Sequence, residues 1–294
     1  MTAPLRLAAL AWPVGQSEGF AASLDQWCEA SRAAGADLLL LPEYAPCEDA
    51  FASAGGDAAA ERDAAADAAP SLVAAMERAA SRHGIWIAGG TVLLRQAGSG
   101  IVNACPLVAP SGLVGMQQKH CRTRFEREAW GLSPGGLPSV FATPWGVIGI
   151  AVCYDAEVPP LVRAQVLAGA WAILVPACTD SPHGAARITL SARARAIENQ
   201  CFVAVAPTVG ERPGCESLDV NRGTAGLYGP ADHGFAASGI VAEQEADAPG
   251  LAVATLDPAA IARVRREGAV TNHADWPQPA VPPCPIIPCP DRSA

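Results

Sequence analysis

No C-x-x-C pair, no cluster of Lys and Arg, and no apolar run near the roughly 20 residues of a membrane helix occurs in these 294 residues. The chain is also poor in charge, at 17%, and in aromatics, at 5%. With 20 basic residues against 29 acidic ones and a formal net charge of -9, no stretch could neutralise a row of phosphates, which argues against nucleic acid and anionic membrane surfaces as partners. His83, His120, His183, His233 and His273 stand apart from the cysteines, so no ligand spacing supports a structural zinc. G-x-x-x-x-G-K-[ST] is absent, and Gly98-Ser99-Gly100 lacks the third glycine of a dinucleotide loop. Neither a metal nor another cofactor is expected. The ten cysteines are scattered and irregularly spaced, which fits reduced thiols in a cytoplasm better than a disulfide framework.

What is present is an apolar content of 50%, enough for a large core. Leu5 to Ala11 reads as a strand, because a Pro13-Val14-Gly15 break and then a helical pattern follow it without a signal-peptide cleavage site. A helix over 20–34 and a Leu-rich strand over 37–41 complete a strand-helix-strand unit. Residues 48–70 read as a surface loop that runs into a helix ending at His83. From Gly84 to Lys119 short strands and turn signals predict an antiparallel meander. A buried strand over 146–152 ends at Cys153, a helix opens near Pro159-Pro160, and the alternation repeats with a strand over 172–176, a helix over 183–200 and a strand over 202–206. This order predicts an α/β protein: a four-layer α-β-β-α sandwich of two mixed sheets forming one domain over residues 1–268, with an extended Pro-rich arm over 269–294.

Cys153 stands where a strand turns toward a helix N-terminus, a position whose dipole favours a thiolate. By itself a free cysteine is commonly just a small buried hydrophobe. The flanking residues say more. Ile150-Ala151-Val152-Cys153-Tyr154-Asp155, with Leu40-Leu41-Pro42-Glu43-Tyr44 and Gln118-Lys119-His120, resembles the three signature blocks of the nitrilase (carbon–nitrogen hydrolase) superfamily, in the family's order. Asn103, the Gly169 to Pro176 stretch, Arg193 to Gln200 and His273 to Trp276 extend the resemblance over most of the chain.

The resemblance implies that Glu43 is the general base, Lys119 the electrostatic stabiliser and Cys153 the nucleophile, with the backbone N–H of Tyr154 helping to hold an oxyanion. Those residue types suit amide hydrolysis, which needs a nucleophile, oxyanion stabilisation and a proton for the leaving amine. A fourth acidic group is usual in the family, seven residues before a glycine; Glu128, seven before Gly135, matches, with Glu126 as its rival and a solvated charge run as the plain alternative. Gly131-Leu132-Ser133-Pro134-Gly135 fits the G-x-S-x-G pattern of serine hydrolases, but no strand precedes it and no helix follows, so it reads as a turn.

Cys153-Tyr154-Asp155 resembles the amidase-type branches rather than true nitrilases, which implies a small-molecule amide as substrate. Acyl transfer or nitrile hydrolysis on the same three residues stays open, and a non-catalytic interaction protein would need a lost triad. Omega-amidase-like members carry an arginine where this chain has Glu157. With Asp180 after the next strand, Glu157 gives the pocket an acidic rim expected to prefer amine-bearing amides, unless it pairs with a local arginine such as Arg193 or Arg195. The family's habits also imply a homodimer or higher homo-oligomer.

Overall fold

The computed structural model describes residues 2–276 except 17 and 99. It opens with β1 (Leu5–Pro13), α1 (Phe20–Ala33) and β2 (Leu38–Leu41), the strand-helix-strand unit that the sequence periodicity predicts. The expected loop over 48–70 is instead helical: α2 (Glu48–Ser53) is followed by α3 (Ala58–His83), a helix of 26 residues. Alanine is the strongest helix former, and the Asp57 carboxylate caps the first turn by accepting from the Ala60 N–H at 2.7 Å. Gly84, at φ 59°, closes the helix in the left-handed conformation that glycine adopts without penalty.

The meander follows as β3 (Trp86–Gly89), β4 (Val92–Gln96), β5 (Gly100–Ala109) and β6 (Gly112–Gln118). A short α4 (Arg124–Glu128) precedes β7 (Val140–Thr143) and β8 (Gly146–Ile150). Then come α5 (Pro159–Leu167), β9 (Ala172–Ala177), α6 (Pro182–Asn199) and β10 (Phe202–Glu211). The rest is β11 (Val220–Asn221), β12 (Gly226–Tyr228), β13 (Ile240–Glu243), β14 (Gly250–Leu256), α7 (Pro258–Glu267) and α8 (Asn272–Asp275). The Pro-rich arm was expected from residue 269, yet 272–275 form α8, with the His273 carbonyl accepting from Arg163 at 2.7 Å. The remainder of that arm, from 277, lies outside the described residues.

The α/β class holds, with parallel and antiparallel pairings mixed. The strands fall into two groups, β1 to β6 with β14 and β7 to β10 with β12 and β13, that are joined at one edge. They follow one path, β4-β5-β3-β2-β1-β10-β9-β8-β7, because the end of β1 pairs with β10 at Trp12↔Thr208 and Pro13↔Val209. Successive side chains of a strand point to opposite faces. Leu5, Leu7, Ala9 and Ala11 therefore enter one core with Ile148, Ile150, Val203 and Val205, while Ala8, Leu10 and Trp12 enter another under α1 and α3. A buried Leu of this kind stabilises the fold by roughly 1.5–3 kcal/mol.

Strand direction places the functional segments. β1, β2 and β3 run parallel, and so do β1, β10, β9 and β8. β6 is antiparallel to β5, which is antiparallel to β3, so β6 points the same way as β2. The chain leaving β2, β6, β8, β9 and β10 thus emerges at one edge of the sheet, where α/β folds bind their ligands.

Candidate active site

Glu43 follows β2, Lys119 follows β6 and Cys153 follows β8, so three strand ends deliver them to that shared edge. All are buried, at 1%, 2% and 4% exposure. The Lys119 ammonium donates to Glu43 Oε1 at 2.7 Å and to Glu126 Oε1 at 2.9 Å. Asn103 Nδ2 donates to Glu43 at 2.8 Å and to the Tyr44 hydroxyl at 2.7 Å, and it reaches Glu126 at 3.1 Å. The Tyr44 hydroxyl in turn donates to Glu126. The Cys153 thiol donates to the Cys178 carbonyl at 3.5 Å and also interacts with the Glu43 carboxylate.

Backbone conformation contributes to the aim of these groups. Cys153 has φ 49° and Tyr44, the residue after Glu43, has φ 61°. A non-glycine residue in this region costs on the order of 1–2 kcal/mol, and such strain gathers at functional sites. Cys153 also opens the 3-10 turn Cys153–Glu157, so Tyr154 lies in its first turn, where amide N–H groups have no helical acceptor. Asp155 in that turn accepts from the His120 N–H at 3.0 Å and the Cys121 N–H at 2.7 Å. Its buried carboxylate therefore ties the segment carrying Lys119 to the segment carrying Cys153, a link that sequence reading did not single out.

The expected preference for Glu128 over Glu126 is reversed. Glu126 is 2% exposed and belongs to the buried cluster. The Glu128 side chain is 67% exposed and faces Arg124 at 3.7 Å. Two positions apart on a helix are about 200° apart, so only one of the two can point inward. A capping box decides which. Thr123 Oγ1 accepts from the Glu126 N–H at 3.3 Å while Glu126 Oε2 accepts from the Thr123 N–H at 2.6 Å, leaving Oε1 for Lys119. The signal in the sequence was Thr123-Arg124-Phe125-Glu126, which spacing back from Gly135 overlooked.

Burial sets the electrostatics. It pushes the Cys153 thiol well above its ordinary value, and the Glu43 charge adds to this. Burial thus works against the thiolate that the dipole of a helix N-terminus favours. Glu43 is raised first by burial and then by Glu126, against the pull of Lys119. Burial would raise Glu126 too, but Lys119, Tyr44 and the Thr123 N–H together hold it below the usual range. Although burial opposes its charge, Lys119 is kept firmly protonated by Glu126 and Glu43.

Above this cluster opens a cavity of about 580 Å³, a volume suited to a small molecule. Cys153, Lys119 and Glu43 form its floor, and Tyr44, Phe125 and Trp130 supply apolar wall. Glu157 and Asp180 both line it, as does the Tyr154 side chain. Glu157 does pair with an arginine of α6, but with Arg187 at 3.2 Å rather than with Arg193 or Arg195. Arg193 instead reaches the Ser238 carbonyl, and Arg195 is held by Glu198. Among the described residues no group of His, Cys, Asp and Glu is arranged to hold a metal, and no helix is long and apolar enough to cross a membrane. The eight described cysteines are free thiols.

The sequence pattern of the family described as carbon-nitrogen hydrolase matches residues 6–266. Probable hydrolase YhcX of Bacillus subtilis is 34% identical over 196 residues, 67% of this chain and 38% of that protein. The deaminated glutathione amidase of Bos taurus is 33% identical over 148 residues, 50% of this chain and 42% of that protein. The alignments thus span less than half the length of these relatives. A crystal structure of a variant amidase from Nesterenkonia sp., in which the acetamide moiety of fluoroacetamide is covalently added at the active-site cysteine, superposes with a TM-score of 0.65 at 23% identity, covering 92% of this chain and 96% of that one.

Proposed function

This chain belongs to the carbon–nitrogen hydrolase family, and we propose that it hydrolyses the C–N bond of a small non-peptide amide through a thioester on Cys153. The observation that carries the reading is the convergence of Glu43, Lys119 and Cys153 from three strand ends onto the floor of one cavity. Attack of the Cys153 sulfur on the amide carbon forms the C–S bond while the thiol proton passes to Glu43, whose raised pKa suits a group that must hold and release a proton. Lys119 and the Tyr154 N–H steady the oxyanion, an interaction whose loss costs roughly 3 kcal/mol in comparable sites. As the intermediate collapses, the C–N bond breaks and Glu43 returns the proton to the leaving nitrogen. Glu43 then takes a proton from the water that attacks the thioester carbon; the C–S bond breaks as the acid leaves, and the proton held on Glu43 passes to the Cys153 sulfur.

Glu126 acts through Lys119 in this scheme: it keeps the ammonium charged and its like charge raises Glu43. The amidase names of the relatives support the amide over the nitrile. Mass spectrometry of the protein incubated with an amide is the test. It should reveal an acyl group on Cys153 with ammonia or amine release, and an adduct on Cys178 instead would sink the assignment. Acyl hydroxamate forming with hydroxylamine faster than acid forms with water would mark an acyltransferase.

We extend the reading to one catalytic domain over residues 1–268, a four-layer α-β-β-α arrangement supported by the split of alternate strand residues into two cores. A cytoplasmic homo-oligomer is part of it, supported by exposed Leu190 and Ile197 on α6. Light scattering that finds a monomer at micromolar concentration would count against the assembly.

A further inference from the structure

The mouth of the cavity has an unbalanced negative charge that originates in Asp180, Glu216 and Asp219. Of the charged side chains lining it, Arg124 faces Glu128 and Arg187 faces Glu157, at 3.7 and 3.2 Å, so these four cancel in pairs. Asp180, Glu216 and Asp219 also line the cavity and are exposed, and no cation pairs with them among the described residues. The nearest arginines in sequence are committed elsewhere. Arg212 turns to Glu48 at 3.6 Å, and Arg222 turns to Asp247 at 3.4 Å and Glu211 at 3.9 Å. Nor does the floor supply a spare positive charge, because Lys119 is already shared by Glu43 and Glu126.

Glu216 and Asp219 do not lie at the mouth by accident of a loose loop. Buried Cys215 and Leu218 anchor residues 215–220 from beneath, in the core under α3. Glu61, fully buried in the first turn of α3, grips the same segment: its carboxylate accepts from the Glu216 N–H at 2.8 Å, from the Ser217 N–H at 3.0 Å and from the Ser217 hydroxyl. Its neighbour Arg62 donates to the carbonyl of Trp130, which also lines the cavity, at 2.7 Å. The start of α3 therefore holds two segments of the cavity lining, and a buried carboxylate satisfied by three donors is costly to disturb.

We propose that residues 215–220, pinned by Glu61 and joined by Asp180, make this pocket selective for amides carrying an ammonium or other cationic group. The selectivity rests on the amidase reading above, with Glu61 as a positioning residue that touches no substrate. Three exposed carboxylates facing one cation each contribute weakly, so the preference over a neutral amide of equal length should be roughly three- to thirty-fold at low salt. It should shrink as salt rises, since exposed charges are screened over about 10 Å at 0.1 M.

The experiment uses a linear ω-amino amide and the neutral alkyl amide of the same length, with affinities measured calorimetrically on Cys153→Ala so that turnover does not intervene. The ammonium-bearing amide should bind more tightly, and Glu216→Gln with Asp219→Asn, both exposed positions, should bring the ratio toward one. Glu61→Gln in the otherwise native enzyme should raise KM for the ammonium-bearing amide more than for the neutral one, with kcat for the two changing alike. Equal affinities, tighter binding of the neutral amide, failure of both to bind, or a ratio untouched by the double substitution overturns the selectivity. Ammonia release and acylation of Cys153 in the native enzyme are read separately. Release without preference ends the selectivity alone, whereas preference without acylation ends the amidase reading alone.

Discussion

The floor and the mouth of one cavity treat charge in opposite ways. On the floor, Glu43, Lys119, Glu126 and Cys153 are between 1% and 4% exposed, and every charge has a partner within 3 Å. At the mouth the side chains of Arg124, Glu128 and Arg187 are 82%, 67% and 61% exposed. Interactions between unit charges that are worth about 1 kcal/mol in water become several times stronger where water is excluded. A substitution on the floor should therefore have a large effect that is the same for every substrate, and one at the mouth a small effect that sorts substrates. That contrast teaches where chemistry and selection reside, and it can be broken at either end.

The largest expected effect is that of Cys153→Ala. Turnover of any amide should fall by on the order of 10³-fold or more, since no thioester can form. The melting temperature should stay within a few degrees, because only a sulfur is lost from a strained position. Residual turnover above a tenth of native would remove Cys153 from the mechanism. Next comes Lys119→Met, which leaves the Glu43 and Glu126 carboxylates buried beside each other without a cation. Breaking such a buried cluster costs about 3–5 kcal/mol of stability, and on the proposed mechanism loss of an oxyanion partner should lower kcat about 10²- to 10³-fold. Denaturant titration and steady-state kinetics measure the two separately, and a stable, active variant would contradict the buried network.

Glu126→Gln should be milder, because Asn103 and Tyr44 can still hold the amide that replaces the carboxylate. Activity is expected to fall roughly 10- to 100-fold, as for a group that supports a catalytic one. Its pH profile carries the sharper information. On the proposed mechanism Glu43 must be ionised to accept the thiol proton, so activity should be lost as pH falls through its raised value, and removing the like charge of Glu126 should lower that value. The acid limb of kcat/KM should then move to lower pH. Glu128→Gln, at an exposed position, should leave that limb in place and activity within about twofold. A limb shifted by Glu128→Gln and not by Glu126→Gln would restore the original assignment.

How much of this could be read in the sequence follows the same division. Glu43 and Cys153 were legible because each follows an apolar run that forms a buried strand, and Lys119, which follows the half-exposed β6, only because its flanking residues resemble a known block. Their common edge was not legible, since it depends on β6 returning to the direction of β2 through the antiparallel pairings of β5. Glu126 was hidden by counting from Gly135 when the local capping chemistry of Thr123 decides the inward face. The helices α2 and α3 were underread because acidic residues and Gly55-Gly56 looked like a surface loop, whereas Glu48 and Glu61 are buried and bonded to distant backbone. Contacts such as that of Glu61 with Ser217 link residues over 150 positions apart, and no local pattern announces them.

The smallest expected effect tests the mouth through one pair. Glu157 and Arg187 neutralise each other across 3.2 Å, with the arginine side chain 61% exposed and the glutamate 16%. Neither touches the buried cluster through a hydrogen bond, so the pair should tune charge without supporting chemistry. Glu157→Gln frees the guanidinium and makes the mouth more positive, which should lower the preference for an ammonium-bearing amide. Arg187→Gln leaves Glu157 as a further unpaired carboxylate and should raise that preference. Each shift is expected to be about two- to threefold in the ratio of kcat/KM values, as suits an exposed pair, and smaller at high salt. Because the two changes remove opposite charges from one place, the double variant should return near the native ratio, and the cycle isolates their coupling. Ratios moving in the same direction in both single variants would mean that the pair shapes the opening as a spacer. Charge would then no longer account for what the mouth selects, although the floor would be left as it stands.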